Sequence, residues 1–127
     1  MENKTLIFNQ HEENTSWISG LTFYQEDLLF LEKQLAEVAN KYTNTDVLSQ
    51  VEHYQNQFII QRNNMDEILH SIKINEDKLI AEVNKNPIAV DHRSTPYHNE
   101  EKELYISFEK SFKQLRSEFI SFLAKWM

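Results

Sequence analysis

The pairing in this chain that most invites a metal is Glu67-Ile68-Leu69-His70. On a helix, that spacing sets a carboxylate and an imidazole one turn apart on the same face. Oxygen and imidazole donors together suit iron, manganese or zinc. The five histidines are His11, His53, His70, His92 and His98, and no two of them stand four residues apart on a predicted helix. His92 and His98 fall near Asp91 and Glu101, a second, looser group of donors. The cofactor expectation is nevertheless none, because the heptad register derived below puts Glu67 and His70 on an outer helix face, where solvated side chains are the ordinary content.

Glu67-x-x-His70 resembles half of the ferritin-like di-iron motif, in which two such pairs and two further glutamates point into a bundle core. The likeness covers four residues, and the chain holds no second Glu-x-x-His. Nucleophilic chemistry has no foothold either. Serines are plentiful, but the chain's single glycine, Gly20, cannot build a Gly-x-Ser-x-Gly elbow. Neighbouring carboxylates such as Glu26/Asp27 and Glu100/Glu101 diverge by about 100° around a helix, so they form no dyad by themselves. Arg62 is the notable single residue. It falls in a predicted apolar seam, where a guanidinium needs solvent or a carboxylate, and Asp27 or Glu109 stand level with it. Gln55 is the other polar residue expected to be buried there, and Glu76 is a third polar interruption beyond the packed zone.

Composition narrows the field further. One glycine, two prolines and no cysteine in 127 residues exclude Gly-rich phosphate loops, disulfides, zinc fingers and thiol catalysis. Hairpin-rich β architectures, which need many residues at positive φ, are disfavoured. A net charge of −7 repels nucleic acid and anionic membrane surfaces. No apolar run approaches the roughly 20 residues of a membrane span, and no signal peptide is visible. The expectation is a cytoplasmic protein that binds neither nucleic acid nor membrane.

The elements that must carry these residues are read from periodicity. Trp17, Leu21, Tyr24, Leu28, Leu31, Leu35, Val38 and Tyr42 recur in steps of four and three. Tyr105, Phe108, Phe112, Leu115, Phe119, Phe122 and Trp126 repeat the pattern. An average of 3.5 is the seam of helices packed as in a coiled coil. Between them Leu48, Val51, Phe58, Met65, Leu69, Ile72, Leu79 and Val83 share one register, with Val47, Tyr54, Ile59, Ile68 and Ile80 on its flanks. Nothing breaks residues 46–86, although Asn75 offers an alternative cap.

The spacing predicts one all-α domain over 1–127: a three-helix, up-down-up antiparallel bundle with heptad-like packing. Helix 1 is expected over 15–42, capped by Thr15 or Ser16; a long helix 2 over 46–86, capped by Thr45 or Asp46; and helix 3 over 96–126, opened by Thr95-Pro96. Residues 1–14 are expected as a tail and 87–95 as a Pro-containing loop. Both are expected to fold back over one end, so that Leu6, Ile7, Phe8, Ile88 and Val90 cover Leu79, Ile80 and Val83.

Five apolar residues are left outside the seams: Phe23, Leu29 and Phe30 on helix 1, and Ile106 and Ile120 on helix 3. Phe23 and Phe30, seven apart, form a ridge that either the N-terminal tail or a second copy of the chain, in a homodimer, must cover. With no convergent catalytic group, the expected function is a non-enzymatic module for protein–protein interaction or self-assembly. A metal- or small-ligand-binding bundle using Glu67 and His70, or Arg62, is the alternative.

Overall fold

Forty residues with no proline and a single glycine carry α1 in one run from Glu2 to Lys41. In the computed structural model α2 follows at Thr45–Lys85 and α3 at Asp91–Trp126. The structure describes the backbone of residues 2–85 and 91–127, with the side chains among them apart from 2–8, 82, 83, 85 and 91–97. Each helix packs against the other two, and no strand occurs among the described residues. The chain is an all-α three-helix bundle.

Side-chain partners give the directions. Asn14 meets Glu76 while Glu32 meets Arg62, so α1 and α2 run antiparallel. Ser71 meets Glu101 while Tyr54 meets the Glu118 carbonyl, so α2 and α3 do as well. Trp17 stacks near His98 and Tyr42 lies against Trp126, so α1 and α3 are parallel. The short link 42–44 between α1 and α2 permits no other arrangement of the two. Asn44 makes the turn: its Oδ1 accepts from the Asp46 N–H at 2.8 Å, the N-cap contact that satisfies an otherwise orphaned donor.

Several boundaries differ from those the sequence led us to expect. Residues 2–14 continue α1 and do not fold back as a tail, because nothing in them stops a helix. Thr15 does not cap: its hydroxyl donates back to the His11 carbonyl at 3.0 Å, inside the helix. The cap of α2 is Asn44, not Thr45 or Asp46. α2 is continuous through Asn75. α3 is helical from Asp91, upstream of Thr95-Pro96. The expected cover of Leu79 and Ile80 by Leu6, Ile7, Phe8, Ile88 and Val90 lies outside the described residues, as does Val83. Leu79 itself is buried and Ile80 is exposed.

The core follows two of the three seams closely. Trp17 through Val38 on α1 and Tyr105 through Phe122 on α3 are buried as spaced. Their aromatic rings interlock along the axis: Tyr24 against Phe108 and Phe112, then Phe58 against Phe119, then Tyr54 against Phe122. On α2 the expected Val51, Phe58, Met65, Ile72 and Leu79 are buried, whereas the alternate seam positions fall one residue earlier than expected. Val47, Val51, Phe58, Gln61, Met65, Ile68, Ile72 and Leu79 are buried, so the positions Leu48, Gln55, Arg62 and Leu69 lie on the flank towards α1.

Candidate functional site

The register of each helix sets which side chains leave the core, and on which side. Writing the seam as heptad positions a and d, positions g and c of α1 lie toward α3, and positions e and b of α3 lie toward α1. Asp27 at g pairs with Arg116 at e, its Oδ2 2.8 Å from Arg116 Nε. Phe23 and Phe30 occupy c of α1, and Ile106 and Ile120 occupy b of α3. These four flank the same α1–α3 face, and Phe23 and Phe30 are 63% and 54% exposed. Leu29, also exposed, sits at b on the opposite flank, toward α2.

Beneath the face runs a polar link. Glu109 Oε2 accepts from the Tyr24 hydroxyl at 2.7 Å and from Tyr105 at 3.4 Å. Burial, then the carboxylate of Glu109, pushes Tyr105 up to about 12 and raises Tyr24 further. Both phenols therefore stay protonated donors at neutral pH and hold Glu109 in place. Lys113 Nζ lies 4.0 Å from the other oxygen of the same carboxylate.

A second constellation lies toward the other end of the bundle, where the α1 and α3 seams turn polar. Gln10, Asn14, His98 and Glu101 are all buried and continue the a and d positions of α1 and α3. Glu101 Oε1 accepts from Ser71 Oγ at 2.9 Å and from Asn75 Nδ2. Burial raises its pKa, against the lowering effect of those two donors. Glu76 accepts from Asn14 Nδ2 at 2.6 Å and pairs with His11. His98 stacks on Trp17, ring centroids 4.8 Å apart, with Nε2 3.4 Å from Glu13 Oε1 but unaligned for a hydrogen bond.

The other sequence candidates do not converge. Glu67 and His70 are both outside the core, and only Glu67 lines the open groove of about 470 Å³ between α2 and α3. Ile68 and Phe108 form the groove's floor, with Ser71, Ser107 and Ser111 beside them. No group of three or more His, Cys, Asp or Glu could hold a metal among the described residues. Gln55, expected to be buried, is exposed, because the core position of that turn belongs to Tyr54. Arg62 is half-buried and pairs with Glu32, not with Asp27 or Glu109. Those two carboxylates already serve Arg116 and the paired tyrosines.

Reading the sequence missed the buried Gln61, whose Nε2 donates to Ser111 Oγ at 3.0 Å, and the polar ends of the seams. Their signal was present: the four–three spacing runs on from Trp17 to Asn14 and Gln10, and from Tyr105 to Glu101 and His98, after the apolar residues stop. The fold and these sites define a three-helix bundle with exposed apolar side chains on its outer faces, Phe23, Phe30, Ile106 and Ile120 on the α1–α3 face among them. Compared with protein-family models, with curated proteins and with solved structures, the chain matches none. No helix is long and apolar enough to cross a membrane among the described residues.

Proposed function

We propose that the chain is a non-enzymatic interaction module whose α1–α3 face is covered by another polypeptide. One observation carries this reading: Phe23 and Phe30 stand out from that face, on the same side of the bundle as Ile106 and Ile120, all four at least 41% exposed. The sequence offered a cover within the chain, the segment 1–14. Residues 2–14 are spent on the first turns of α1, so they cannot return to Phe23 and Phe30. Burying two phenylalanines and two isoleucines is worth several kcal/mol in transfer terms, at about 25 cal/mol per Å². In a four-helix bundle the helix that follows α3 packs between the first and third helices, and the α1–α3 face has the heptad spacing to receive such a helix.

A photo-reactive amino acid placed at position 23, with a control at Ser107 on the α2–α3 side, tests the reading in the native cell. A protein adduct is expected from position 23 and not from 107. Failure to form any adduct at 23, or equal yields at both sites, would contradict it.

A further inference from the structure

We propose that the groove between α2 and α3 binds a small organic cation, an ammonium group carried on an apolar or aromatic body. The groove lies on a different side of the bundle from Phe23 and Phe30, so the inference stands apart from the reading of the α1–α3 face.

Size and floor select a small molecule with an apolar part. The groove has a volume of about 470 Å³, ordinary for a small-molecule site. On α2 its lining runs from Asn64 to Ser71, about 10 Å along the helix. Ile68 and Phe108 are buried beneath it, and Leu104 stands 54% exposed beside them. An apolar body laid there takes Leu104 out of water together with its own surface.

Charge selects the sign. Glu67 is the one charged residue in the lining, and no lysine or arginine lines the groove. Its carboxylate has no ion pair among the described residues. The chain as a whole carries −7, which draws cations and turns anions away. A metal ion finds no second His, Cys, Asp or Glu in the lining. A cation held by one carboxylate and seated on an apolar floor is an organic one.

Hydrogen bonding points the same way. Glu67 and Ser71, four apart on α2, are neighbours on one helix face. Ser71 Oγ spends its proton on Glu101 at 2.9 Å, so it offers the groove lone pairs only. Two acceptors side by side suit an ammonium, which donates and cannot accept. Ser111 Oγ accepts from Gln61 Nε2 at 3.0 Å, so that hydroxyl too is fixed from behind. Glu101 and Gln61 are 3% and 4% exposed, and each keeps one oxygen without a hydrogen-bond partner among the described residues. Buried polar groups left this way cost stability. Here they hold two of the groove's hydroxyls still, as a preorganised site requires.

The test titrates phenethylammonium into the isotope-labelled full chain and follows the amide resonances. Saturable shifts are expected at Ile68, Leu104 and Ser107. Phenethyl alcohol, the neutral counterpart, and ethylammonium, which lacks the ring, are each expected to bind about tenfold more weakly or worse. Glu67→Gln is expected to lose about tenfold in affinity for the cation, whereas Glu52→Gln, at an exposed carboxylate elsewhere on α2, changes nothing. Ser107→Leu, which fills the groove, is expected to abolish binding with helix content unchanged. No saturable shift with either phenethylammonium or hexylammonium through the millimolar range overturns the site. Equal affinity for the amine and the alcohol, or equal losses in Glu67→Gln and Glu52→Gln, overturns the cation.

Discussion

The phenol of Tyr105 lies directly over Gly20, where a β-carbon would collide with its hydroxyl oxygen. The glycine is regularly helical, with no positive φ, so its use is the space it leaves. That space lets the Tyr105 phenol lie against α1, its ring stacked beside Trp17 at 5.9 Å and its hydroxyl donating to Glu109 one turn on in α3.

Gly20→Ala should therefore destabilise the bundle. Alanine gains about 1 kcal/mol of helix propensity, but displacing the ring costs more, for a net loss of about 1–2 kcal/mol. In a Tyr105→Phe background the hydroxyl is gone and the same substitution should be neutral or stabilising. Urea unfolding of the four variants closes this cycle; an equal loss in both backgrounds would refute it.

Glu101 makes the stability depend on pH in an unusual direction. Its folded pKa is raised, by burial first, above the ordinary value of 4.5. The folded state thus holds the proton more tightly than the unfolded chain. The stabilisation is complete below the unfolded pKa and is lost as pH rises through the raised folded one. Glu101→Gln keeps the acceptor for Ser71 and Asn75 without the charge. The variant should gain on the wild type as pH climbs from about 4.5 toward neutrality, by up to about 1.4 kcal/mol per pH unit within the titration window. Thermal melts across that range decide it, and parallel curves for the two proteins would count against a penalised carboxylate.

Gln61 and Arg62, adjacent in sequence, should respond differently to leucine. Gln61 is 4% exposed, and its Oε1 has no hydrogen-bond partner among the described residues. Gln61→Leu should stabilise by about 1–2 kcal/mol. Arg62 is in a half-exposed pair with Glu32, and Arg62→Leu should change stability by less than about 1 kcal/mol. Chemical denaturation of both variants tests the assignment of the seam.

That pair also shows how far the sequence could be read. The fold class, three helices and most of the α1 and α3 cores were legible, because Trp17–Tyr42 and Tyr105–Trp126 repeat without a miss. On α2 the spacing was ambiguous for a geometric reason. Steps of four and three fit the pairing of position a with d, and equally the pairing of a with e. Leu48 and Leu69 at e imitated a seam whose true d positions hold Val47, Tyr54, Gln61 and Ile68. The polar end stayed hidden because hydrophobicity was the only guide to burial, whereas Glu101 and Asn14 are buried with hydrogen bonds to α2, Glu101 accepting from Ser71 and Asn75, and Asn14 donating to Glu76. The exposed ridge of Phe23 and Phe30 was legible from its place outside every seam.

Exposed and buried phenylalanines should separate cleanly. Phe58→Ala removes a side chain 1% exposed and should cost about 3–5 kcal/mol. Phe23→Ser, in the isolated chain at low concentration, should cost less than about 1 kcal/mol. Comparable losses would place Phe23 in the core.

The proposed function requires the α1–α3 face to be covered by another polypeptide in the protein's native setting. Hydroxyl-radical labelling, read residue by residue, measures this most directly when the dilute isolated chain is compared with the same chain inside its cell. Phe23, Phe30 and Ile106 should be labelled in isolation and protected in the cell, while the exposed Ile59 and Ile80 of α2 are labelled alike in both. Equal labelling of Phe23 and Phe30 in the two settings would contradict the claim.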